Sequence, residues 1–150
     1  MRIKTIFILI SLICSLIFLY SCKSHINKKR TEVFTKYLLQ TFQLSLQNEK
    51  SIYFVITSQG CPVCKKSLLN HLQNQTINLK LLVVQDWEVT FPWCIEILFD
   101  EKGIINRLNM RLAGTYVLFI KNKEIVDTFS VTLESLPLLD EKIDKFFTST

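Results

Sequence analysis

The residues of this 150-residue chain best suited to covalent chemistry are its five cysteines, Cys14, Cys22, Cys61, Cys64 and Cys94. Two of them stand three positions apart in Gly60-Cys61-Pro62-Val63-Cys64. A Cys-x-x-Cys pair can cycle between dithiol and disulfide if one sulfur is a thiolate near neutral pH and the other lies within its reach. A helix opening at the first cysteine meets both conditions. Its free N–H groups and dipole favour the Cys61 thiolate, and Cys64 falls one turn on, on the same face. Other uses of the pair fit less well. So small a loop constrains the unfolded chain little, which makes a purely structural disulfide a weak explanation. A c-type haem site needs histidine directly after the second cysteine, where Lys65 stands. Zinc needs four ligands, and Cys94 is the one further candidate.

The flanking sequence supplies elements to position such a site. Residues 52–57 (Ile-Tyr-Phe-Val-Ile-Thr) form a short apolar run of β-branched and aromatic residues, the pattern of a strand buried on both faces. A helix is expected from the cysteines to residue 74, with Leu68, Leu69 and Leu72 inward and Pro62 tolerated in its first turn. Before the strand, Phe34, Leu38 and Phe42 give residues 32–47 an apolar stripe at helical period. After the helix come a second strand run at 79–85, an apolar run at 95–99, a turn at 100–103 and a short helix or bend at 104–110. Residues 116–120 and 124–129 read as a hairpin turning at Lys121-Asn122-Lys123. Leu136, Leu139, Ile143 and Phe146 predict a last helix over 133–147. This order specifies an α/β domain, a central mixed sheet flanked by helices.

The N-terminus has a different character. Arg2 and Lys4 precede an apolar stretch running to Tyr20, shorter than a comfortable membrane span and patterned as a secretory signal. It ends in Leu19-Tyr20-Ser21-Cys22, which resembles a bacterial lipobox, with Tyr20 the atypical residue. That resemblance implies a signal peptide over 1–21, lipidation of Cys22, a membrane-proximal tether over 22–31 and a folded domain over 32–150. The mean hydropathy of +0.26 is raised by this leader. The formal net charge is +5, from 18 basic and 13 acidic residues, and two of the basic ones are Arg2 and Lys4. The remaining excess is too small for a nucleic-acid partner. Lys23, Lys28, Lys29 and Arg30 read as a solvated stretch beside a membrane.

From residue 50 to 147 the chain resembles the thioredoxin superfamily, and within it the exported, membrane-tethered thioredoxin-like reductases of bacteria related to peroxiredoxins. Two segments carry the resemblance: the strand leading into Gly60-Cys61-Pro62-Val63-Cys64, and Leu98-Phe99-Asp100-Glu101-Lys102-Gly103 followed by Gly114-Thr115-Tyr116-Val117-Leu118-Phe119. It implies a thioredoxin-like fold and a thiol-disulfide oxidoreductase of the cell envelope, facing the periplasm. Cys61 is then the nucleophile and Cys64 the resolving cysteine, with Pro62, Val63, Ala113 and Gly114 touching substrate. Partners would be protein thiols or disulfides and a separate redox partner, with no cofactor and no metal.

The chain departs from the family in three places. Gly114 stands where the family has a cis-proline facing the thiols, and glycine does not enforce a cis bond. Gly60 replaces the tryptophan that often precedes the first cysteine. No carboxylate occurs in residues 52–57 to accept a proton. Copper delivery in a related family uses a wider Cys-x-x-x-Cys and a later histidine, both missing here. Two further readings stay open: a non-catalytic adaptor of the same fold, and metal binding by Cys61 and Cys64 with Cys94. Cys94 itself reads as a small core residue, and Trp87, Phe91 and Trp93 as core aromatics. His25 and His71 read as non-catalytic.

Overall fold

The computed structural model describes residues 2–57, 61–72, 80–84 and 96–149. The first element, α1, is a helix over Arg2–Phe42. Neither glycine nor proline interrupts it, so the segment expected as a tether is helical and joins the helix expected from residue 32. It closes at Gln43, whose left-handed φ of 57° lets its N–H reach the Leu39 carbonyl at 3.1 Å. Among its described N-terminal side chains, Ile8 and Ile13 are exposed. Among the described residues no helix is long and apolar enough to cross a membrane.

The chain then builds β1 (Ser51–Ile56), α2 (Pro62–Leu72), β2 (Lys80–Val84), β3 (Glu96–Asp100), β4 (Thr115–Lys121), β5 (Glu124–Ser130) and α3 (Leu139–Thr148). The five strands form one mixed sheet in the order β3-β2-β1-β4-β5. The β1–β2 and β2–β3 pairs are parallel, and β1–β4 and β4–β5 are antiparallel. Central β1 is covered on both faces, which explains its unbroken apolar sequence. Tyr53 and Val55 pack with Phe34, Tyr37 and Leu38 of α1 on one side. Ile52, Phe54 and Ile56 pack with Leu68 and Leu72 of α2 and Leu139 and Ile143 of α3 on the other.

The hairpin expected at residues 121–123 turns at Asn122 and Lys123, both with positive φ, the geometry whose twist suits a two-residue connection. Their N–H groups donate to the carbonyls of Asn48 and Gln47, so the hairpin also fixes the approach to β1. The last helix starts later than its apolar spacing predicts. Residues Leu136–Leu138 form a 3-10 turn and α3 begins at Leu139. Pro137 supplies no N–H and biases the residue before it away from the α-helical region.

Polar contacts also hold α1 against the rest of the fold. Arg30 donates to the Met110 and Arg111 carbonyls and to the Thr128 hydroxyl. Tyr37 donates its hydroxyl to Asp100 Oδ2 at 2.9 Å. Asp100 is 1% exposed, and its carboxylate also accepts the N–H groups of Ile104 and Ile105, capping the short 3-10 helix Ile104–Arg107. Burial, with the Asp100 charge beside it, pushes the Tyr37 hydroxyl well above its ordinary range, so it stays a donor. Tyr37→Phe should therefore lower unfolding stability by about 1 to 3 kcal/mol in urea titrations, because the buried carboxylate loses one of three donors. Asp100→Ala should cost more than Tyr37→Phe.

Candidate functional site

Strand β1 delivers the chain to the cysteines at its C-terminal end. Pro62 is the first residue of α2, so Cys61 occupies the capping position before it. Its sulfur takes the part that a serine oxygen usually plays there: the Cys64 N–H points to Cys61 Sγ at 3.4 Å. The first intrahelical bond, Lys65 N–H to the Cys61 carbonyl at 3.0 Å, completes the cap. Cys61 is exposed and Cys64 is buried, and both are free thiols.

The two sulfurs are electrostatically unequal. The Cys64 thiol donates to Cys61, which lowers the Cys61 pKa; the N–H groups of Cys64 and Val63 and the Lys65 charge act in the same direction, and burial opposes them. That same thiol bond raises the pKa of Cys64, followed by burial and by the Cys61 charge, against a Leu133 N–H that lowers it. Leu133 is placed by a reciprocal pair of hydrogen bonds, Thr132 N–H to Ser135 Oγ at 2.8 Å and Ser135 N–H to Thr132 Oγ1 at 3.1 Å. A nucleophile outside and a protonated thiol behind it is the division of labour a dithiol exchange requires.

Of the residues expected to touch substrate, Pro62, Val63 and Ala113 are exposed and Gly114 is half-buried. Gly114 lies directly before β4, in which Thr115 pairs with Ile56 at the end of β1. Thr57 Oγ1 donates to the Gly114 carbonyl at 2.8 Å, so Gly114 shares the sheet end from which the chain reaches Cys61. No peptide bond among the described residues is cis, and Gly114 has φ 71°. That backbone geometry suits glycine and is closed to proline, whose ring holds φ near −65°.

The structure also brings in residues that sequence reasoning left out. Lys65 is only 4% exposed. It occupies the first position of the apolar stripe Lys65, Leu68, Leu69, Leu72, so helical spacing alone marked it as inward. Leu133 and Thr57 gave no such signal, because their contacts depend on tertiary placement. Thr115 is 3% exposed, and its hydroxyl has no hydrogen-bond partner among the described residues. His71 lies away from the cysteines, at 2.8 Å from Asp140 of α3. His25 is exposed on α1.

Gly60, Trp87, Phe91, Trp93 and Cys94 lie outside the described residues, as does the side chain of Cys22. Among the described residues no group of three His, Cys, Asp or Glu side chains is placed to hold a metal ion. Comparison with known proteins gives no match to a family model, to a curated protein or to a solved structure.

Four outcomes follow from this geometry. In ultraviolet thiolate titrations Cys61 should ionise below the range of a free thiol, and Cys64→Ala should move its midpoint upward by removing the thiol donor while leaving the backbone N–H. Gly114→Ala should cost about 1 kcal/mol in urea unfolding for its left-handed φ, and Gly114→Pro should cost more because the ring forbids that φ altogether.

Proposed function

We propose that this chain is a thiol-disulfide oxidoreductase of thioredoxin-like fold, with Cys61 attacking a substrate disulfide and Cys64 resolving the mixed disulfide. The observation that carries the reading is the polarity of the pair: an exposed sulfur at the start of α2 with lowered pKa, hydrogen-bonded to a buried thiol with raised pKa. Strand order and direction support the fold assignment. A parallel β1-α2-β2 unit carries the cysteines at its first turn, and an antiparallel hairpin with a closing helix completes the sheet. Pro62, Val63, Ala113 and Gly114 form the surface met by the substrate backbone. The chemistry needs no cofactor, and its partners are protein thiols and disulfides together with a separate redox protein. Lipidation at Cys22 would hold the domain to the bacterial envelope, facing the periplasm.

A second reading, a non-catalytic adaptor, is favoured by the trans bond and left-handed φ at Gly114, where the resembled family has a cis-proline. Reduction of insulin disulfides in the presence of dithiothreitol separates the two. The oxidoreductase reading predicts wild-type turnover above background, abolished by Cys61→Ser and stalled as a mixed disulfide by Cys64→Ser. Wild-type activity equal to that of Cys61→Ser would leave the adaptor. Mass spectrometry of the mature N-terminus should find acylated Cys22, and an intact Met1 would refute the anchor.

A further inference from the structure

Like charges gather on a protein surface at an electrostatic cost, which an anion placed between them removes. Such a gathering lines a cleft where α1 passes the turn before β4. His25, Lys29 and Arg30 line it from α1 and Arg111 from the turn, with Ile26 and Met110 as its apolar part. Arg30 ties the two sides together, donating to the Met110 and Arg111 carbonyls at 2.9 and 3.4 Å. Those bonds set its charge against neutral oxygens, and burial together with the Arg111 charge holds its pKa below the ordinary arginine value. Among the described residues that line the cleft there is no aspartate or glutamate. The cleft has a volume of about 110 Å³. Sites for whole small molecules run to about 300 to 1,000 Å³, so this one suits a single oxyanion group whose remainder stays outside. His25, Lys29 and Arg111 are exposed, which leaves the mouth open to such a ligand.

We propose that this cleft binds the phosphate group of an anionic phospholipid headgroup. Two guanidinium groups, an ammonium and an imidazole supply the N–H donors, and arginine's planar fork matches the spacing of phosphate oxygens. The choice of a lipid over free phosphate rests on the anchor reading. His25 follows Cys22 by three positions, so it lies within about 11 Å of an acylated Cys22 however the intervening chain is arranged. The polar layer of one leaflet is about 5 to 8 Å deep. An acyl chain inserted at Cys22 therefore keeps this end of the cleft at the headgroups or just above them. The cleft is then a second, electrostatic hold on the membrane beside the acyl chain, selective for the sign of the headgroup.

Nitrogen-15 labelling of the arginines lets NMR read the cleft directly. The full chain with its leader is held in a neutral detergent at about 0.15 M salt and titrated in turn with dihexanoyl phosphatidylglycerol, dihexanoyl phosphatidylcholine and inorganic phosphate. Phosphatidylglycerol should move the Arg30 and Arg111 Nε–H resonances saturably and leave Arg107, exposed and outside the cleft, in place. Its midpoint should lie about tenfold below that of phosphatidylcholine, whose own cation opposes the cleft's charge. It should also lie below that of inorganic phosphate, which lacks the tails that concentrate a lipid in the micelle holding the leader. Arg111→Gln and Lys29→Gln, both at exposed positions, should each raise the phosphatidylglycerol midpoint about fivefold. Lys66→Gln removes the same charge from α2 and should leave it unchanged. Inorganic phosphate binding as tightly as phosphatidylglycerol overturns the lipid assignment. No saturable shift, an equal response at Arg107, or an equal effect of Lys66→Gln overturns the site itself. Mass spectrometry of Cys22 keeps the two readings apart: an acylated Cys22 without phosphatidylglycerol binding refutes the cleft alone, and an unmodified Cys22 with selective binding refutes the anchor alone.

Discussion

The constraint on which the rest of the molecule depends is that β1 is buried on both faces. Its side chains alternate between α1 on one side and the α2 and α3 layer on the other, so neither face can turn to water without losing a whole cluster of contacts. That fixes the register of β4 beside it, and with it the pairing of Ile56 with Thr115. Thr57, four residues before Cys61, and Gly114, directly before β4, are then held together by the Thr57 hydroxyl. The site is therefore assembled by the end of a strand whose position is settled by packing, not by contacts between the site's own residues.

Strand identity was open to reading because β-branched and aromatic runs of this kind fit a doubly buried strand and little else. The helix at the cysteines was equally legible from its leucine spacing. Residues 22–31 were not, since lysines and polar residues look like a solvated tether by composition. Helix formation there is governed by the lack of any breaker and by anchoring contacts that no local pattern encodes: Asn27 to the Val126 carbonyl, Thr31 to the Ile125 N–H, and Arg30 to the loop carbonyls. The delayed start of α3 was readable in principle, because Pro137 stands inside the apolar stripe that suggested the longer helix.

Position 114 shows where family resemblance and local physics part. The resemblance implies that something rigid should face the thiols just before β4. The sequence supplies the most permissive residue instead, and the chain uses that freedom: a left-handed φ carries the backbone into β4 while its carbonyl accepts the Thr57 hydroxyl. A hydrogen bond from Thr57, directly after β1, ties this position where the family would have a ring. The buried Thr115 hydroxyl next to it, on the face of the sheet shared with Ile56, keeps one polar group close to the α2 layer.

The segment leading to Gly114 is held from the opposite side of the sheet by α1. Asp100 caps the turn that follows β3 and is tied to Tyr37, and Arg30 clasps the carbonyls of Met110 and Arg111 three to four residues before Gly114. Among the described residues, the atoms that Arg30 bonds at this clasp are all neutral oxygens. Burial and the neighbouring Arg111 charge both disfavour its protonated form, and the Tyr116 hydroxyl is kept protonated by its own burial. A guanidinium retains its charge under such pressure where a lysine would not, so the clasp demands arginine for its geometry and its constancy. Asn27, Arg30 and Tyr37 of α1 thus brace the edge hairpin and the turns that lead into β4.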